Sequence, residues 1–100
     1  MRISGLLLLS VGLLAACVSK PPIVEYTLAR SALDNAERVE ANKYSPNNWQ
    51  RAKEAFEKAQ RELSDTDNDE ARKSFIKARQ WAEKAENQTR YNRFKQGEGT

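Results

Sequence analysis

One pattern occurs three times along this chain: an alanine, three residues, a bulky apolar residue, two residues, a second alanine. It reads Ala29/Leu33/Ala36, Ala52/Phe56/Ala59 and Ala71/Phe75/Ala78, and the second and third copies also carry Lys58 and Lys77 at the same point of the unit. Steps of three and four residues put the apolar positions of each copy on one stripe of a helix. A single stripe of this kind cannot bury itself, so its recurrence predicts helices packed on one another. The alanines flanking each bulky residue let neighbouring helices approach closely.

Boundaries follow from the residues between the stripes. Residues 24–43 contain no Gly or Pro and carry Ala29, Ala32, Leu33, Ala36 and Val39 at helical steps, which predicts a first helix over about 24–43. Ser45-Pro46 is a helix start, with Ser45 as cap, Pro46 in the first turn and Tyr44 able to pack on Trp49. The second helix, about 46–63, has Trp49, Ala52, Phe56, Ala59 and Leu63 at the three-four spacing of a coiled-coil seam. Glu54/Lys58 and Glu57/Arg61 stand at i,i+4 on its polar side, where they are expected to pair. Residues 64–68 are turn and cap formers, and Asp67 with Glu70 predicts a capping box for a third helix over about 67–92. Short connections make these helices antiparallel, so the expected fold is all-α: a small antiparallel three-helix up-down-up bundle over 24–95, followed by a flexible tail at 96–100.

The start of the chain has a different character. Met1-Arg2 is a short basic start, residues 3–14 are mostly apolar, and Ala15-Ala16 are small residues before a cut. The apolar run ends well short of the roughly 20 residues that span a bilayer, so residues 1–16 read as a cleaved signal peptide. Leu14-Ala15-Ala16-Cys17 resembles the lipobox of bacterial lipoproteins. That resemblance implies a diacylglycerol thioether on Cys17, acylation of the new N-terminus, and membrane attachment with residues 17–23 as tether. Under the sorting rule of such lipoproteins, Val18 in place of an aspartate implies the outer membrane, facing the periplasm. Ser19, Lys20, Pro21 and Pro22 form a short extended spacer, because proline disfavours helix in itself and in the residue before it.

Tyr44-Ser45-Pro46, the Ala52-x3-Phe56-x2-Ala59 unit, a polar turn and a second alanine-stepped helix, all behind a lipobox, resemble the domain-of-unknown-function 4398 family of small alanine-rich lipoproteins. The resemblance spans about residues 30–90 and implies helical hairpins; the family brings no known activity. Trp49, Phe56, Phe75 and Trp81 depart from its mostly alanine and leucine stripe. The hairpins are also tetratricopeptide-like by analogy, without the usual glycine turn.

Composition removes several kinds of chemistry. The mature chain, residues 17–100, has one cysteine and no histidine, so it has no internal disulfide, no Cys/His metal site and no imidazole base. Without Arg2 it holds 16 basic and 14 acidic residues, with alternating signs along the helices, which argues against nucleic-acid binding. Neither a cofactor site nor a catalytic carboxylate pair is expected. Asp65, Asp67, Asp69 and Glu70 read as turn and cap residues, since they lack the glycine and closing glutamate of a calcium loop.

Two groups remain as candidates. Trp81 either closes the edge of the bundle or joins Ile76, Tyr91 and Phe94 in a partner surface. Arg90, Arg93 and Lys95 either complement a helix C-terminus or contact an anion or lipid headgroup. The resulting expectation is a non-enzymatic, membrane-anchored envelope module that binds an envelope protein or peptidoglycan. The alternatives are self-association, an accessory subunit with a thin core, and a carboxylate-based cell-wall hydrolase.

Overall fold

The computed structural model describes residues 19–97. The leader, Cys17, Val18 and the last three residues lie outside them. Among the described residues the chain is all-helical: α1 (Ile23–Arg38), α2 (Ala41–Tyr44), α3 (Pro46–Ser64) and α4 (Asn68–Lys95). None of these helices is long and apolar enough to cross a membrane.

All nine positions of the repeated pattern are buried. Ala29, Leu33, Ala52, Phe56, Ala59, Ala71, Phe75 and Ala78 join Ala32 and Ala82 in the main core, while Ala36 meets Ala41 and Ala85 in a second cluster under Trp49. Three rings, one from each long helix, meet at the centre. Tyr26, Phe56 and Phe75 have centroids 5.4–5.7 Å apart, two of the three contacts being edge-on, the arrangement favoured by aromatic quadrupoles. α4 is the common partner: its Ala71, Phe75, Ala78, Ala82 and Ala85 face both α1 and α3.

Contacts advance in the same sense along α1 and α4. Glu25 pairs with Arg72 at 3.4 Å near their starts, and Val39 O accepts from Arg93 Nη1 at 3.2 Å near their ends. Along α3 and α4 they advance in opposite senses, with Ser74 Oγ donating to Glu62 at one end and Arg51 lying over Trp81 at the other.

The continuous first helix expected over 24–43 is interrupted. α1 ends at Arg38, and Glu40 takes the left-handed conformation with φ 67°, its N–H donating to Glu37 O at 2.9 Å. This single residue redirects the chain, so that Ala41 is buried beside Ala85 and Asn92 Nδ2 donates to Tyr44 O at 3.1 Å. The gain in packing outweighs a left-handed cost of about 1–2 kcal/mol, which nothing in the sequence announces. A second such residue, Thr66 (φ 61°), closes α3: Thr66 N–H donates to Leu63 O at 3.0 Å and Asp67 N–H to Glu62 O at 2.8 Å, the Schellman pairing.

Other local expectations are also corrected. Neither Ser45 nor Asp67 makes a side-chain cap; Ser45 Oγ instead accepts from Asn48 Nδ2 at 3.1 Å, and Glu70 pairs with Lys73 at 3.2 Å. Apart from these corrections, Tyr44, expected to pack on Trp49, lies under Arg93 and Lys43, at 5.1 Å from each. α4 starts at Asn68 and runs three residues past the expected end, to Lys95, with Gly97 at φ 79° just beyond its cap.

Candidate functional site

α3 has two flanks. One carries Trp49, Lys53, Phe56 and Gln60 toward α1, across an open groove. The other carries Arg51, Ala55 and Lys58 toward Trp81 of α4. This second flank is the most distinctive surface of the molecule.

Trp81 packs against the core and is half-buried. Arg51 Cζ lies 4.7 Å and Lys84 Nζ 5.0 Å from its ring centre, so cations reach the indole from both α3 and α4. Each such contact contributes about 0.5–1 kcal/mol at an exposed site, enough to hold two like charges beside one ring. Two open hollows of about 470 Å³ adjoin Trp81, one lined by Arg51, Glu54, Ala55 and Lys58, the other by Lys77, Gln80 and Lys84.

Cations gather on this face: Arg51 and Lys58 from α3, Lys77 and Lys84 from α4. Five basic residues find carboxylates: Arg30 with Asp34, Arg72 with Glu25 and Asp69, Lys73 with Glu70, Arg79 with Glu83, Arg90 with Glu86. Among the described residues none of Arg51, Lys58, Lys77 and Lys84 has a carboxylate within 4.0 Å. The expected Glu54/Lys58 and Glu57/Arg61 pairs do not form; Glu54 accepts from Gln50 at 3.3 Å instead. Glu54 is the acidic residue lining these hollows, so the face is strongly cationic.

The other candidates are separated from Trp81. Ile76 is a half-exposed residue on the outer side of α4, and Tyr91 and Phe94 stand out from its last turns. They form no continuous apolar patch with Trp81, because Gln80, Glu83 and Asn87 lie between them on the helix. The basic end is divided as well. Arg93 turns inward onto Val39 O and the Tyr44 ring, Arg90 is held by Glu86 at 2.9 Å, and Lys95 lies over Tyr91 at 5.6 Å. Sequence reasoning singled out Trp81 but not Arg51, Lys77 or Lys84 around it. The steps Lys77, Trp81, Lys84 (i, i+4, i+7) were legible; the approach of Arg51 from α3 required the hairpin register.

Fold and surface together define a small alanine-rich helical domain with a cationic face centred on Trp81. The model for the domain of unknown function DUF4398 matches residues 24–97, and the chain belongs to that family. Comparison with curated proteins and with solved structures finds no match.

Proposed function

We propose that this protein is a non-catalytic, lipid-anchored adaptor of the bacterial cell envelope, in which α1, α3 and α4 form an up-down-up bundle that binds an acidic envelope protein through the Trp81 face. The observation that carries the reading is the cluster Arg51, Lys58, Lys77 and Lys84 around the half-buried Trp81, four cations with Glu54 as the acidic residue lining the same hollows. Tryptophan and arginine supply much of the energy at protein interfaces, and a potential of one sign selects a partner of the other. The hollows beside Trp81 are open and shallow, a shape suited to the convex surface of a protein. The anchor rests on Leu14-Ala15-Ala16-Cys17, and the choice of the outer membrane on Val18.

The test is crosslinking in intact cells with the lipidated protein, beside Cys17→Ser and Arg51→Glu/Lys84→Glu forms. One dominant envelope protein, lost from both variants and released by salt, is the expected result. Capture insensitive to the charge reversal would overturn the role of this face. Co-sedimentation with purified peptidoglycan in place of a protein would move the partner to the cell wall, and recovery of the protein alone would favour self-assembly.

A further inference from the structure

The segment read from sequence as a short extended spacer is fastened to the domain. Asn68 Nδ2, on a buried side chain at the start of α4, donates to Ser19 O at 2.9 Å. Arg72 Nη2 donates to Lys20 O at 2.9 Å, while the same guanidinium holds Asp69 and Glu25. Ser19 Oγ donates to Asp69 Oδ2 at 3.3 Å, and Pro22 is fully buried. The chain therefore has no slack after Ser19. Only two residues of reach, about 7 Å, separate Ser19 from Cys17.

At this same end one side of the surface is apolar. Ile23 and Val24 are 70% and 66% exposed, and an apolar hollow of about 160 Å³ is lined by Pro21, Pro22, Ile23, Tyr26 and Leu63. Large apolar groups left in water mark a docking surface, and the position of Cys17 says which. Given the reading that Cys17 carries lipid, we infer that the rim formed by Pro21, Ile23, Val24 and Leu63 docks on the bilayer, and that the strapped tether holds the domain end-on against it.

A docked rim of this kind enters the headgroup boundary to a depth of about 5–10 Å. Lys20, exposed beside it, is placed for lipid phosphates. Asp65, Asp67 and Asp69 share this end and oppose deep insertion, so they stay in the water layer while the start of α1 sits lowest.

The test uses the full lipidated protein in phosphatidylcholine vesicles. A thioether on Cys17 leaves no thiol there, so a nitroxide label goes only to a cysteine introduced as Val24→Cys or Phe94→Cys. These positions are matched, at 66% and 67% exposed in the domain. The ratio of oxygen to water-soluble nickel collisions is expected to be at least about threefold higher at position 24, as an interfacial site requires. Equal ratios on protein whose mass includes the lipid would overturn the docking and leave the anchor standing. A mass without lipid would overturn the anchor and, with it, the docking. Arg72→Gln, which loosens the tether, is expected to bring the two ratios together.

Discussion

Phe75 of α4 stands edge-on to Tyr26 of α1, with centroids 5.4 Å apart and ring planes at 87°. Phe75 is fully buried, whereas Tyr26 keeps part of its ring in water. Truncation at the two sites is therefore unequal. Phe75→Ala is expected to cost about 3–5 kcal/mol, comparable to the whole stability of a domain this small, and to abolish cooperative thermal unfolding. Tyr26→Phe keeps the ring and is expected to shift stability by less than about 0.5 kcal/mol, measurable by urea unfolding.

Thr66 adopts φ 61° at the position where a Schellman motif favours glycine. A β-branched residue is costly there, so Thr66→Gly relieves strain that exceeds the added freedom of the unfolded chain. The expected gain is about 1 kcal/mol, a rise of roughly 4–8 °C in Tm for a domain of this size. An unchanged or lower Tm in calorimetry would contradict this account of the turn.

Thr89 is fully buried on the stripe of α4, and its hydroxyl has no hydrogen-bond partner among the described residues. Valine has nearly the same shape and no polar atom to desolvate. Thr89→Val is expected to stabilise the domain by about 1 kcal/mol, whereas Thr89→Ser, which keeps the hydroxyl and removes a methyl, is expected to lower stability. Chemical denaturation of the two variants decides between them.

Arg93 joins the end of α4 to the bend, through Val39 O at 3.2 Å and the Tyr44 ring at 5.1 Å. Arg93→Ala removes both contacts while the core stays intact. Amide hydrogen exchange at residues 41–45 is expected to accelerate about fivefold, equivalent to roughly 1 kcal/mol of local opening, with little change in the amides of Ala52 to Ala59.

The parts of this fold legible in the sequence are those set by helical period. All three Ala/bulky/Ala stripes point inward, because burial of their apolar faces dominates the energy of a small helical domain. The two left-handed residues escaped notice for a physical reason: sequence rules look for glycine, and at Glu40 and Thr66 tertiary packing imposes the conformation on residues that resist it. Surface pairing was also poorly legible, since Glu54 exchanges one weak exposed partner for another at almost no cost. Trp81 could be read as a candidate from its place at the stripe margin. Its cationic setting depends on Arg51, thirty positions away in the chain, arriving across the α3–α4 hairpin.

The strapped tether also fixes a distance. Ser19 is held at Asn68, and Trp81 lies thirteen residues further along the same uninterrupted helix, a rise of about 20 Å. A domain hung on a slack linker sweeps a volume and meets partners at any level within it. Under the anchoring and docking proposed above, α4 would work as a measuring post: standing end-on, it would offer its cationic face at one height above the lipid, so the first thing it would select in a partner is how far that partner reaches.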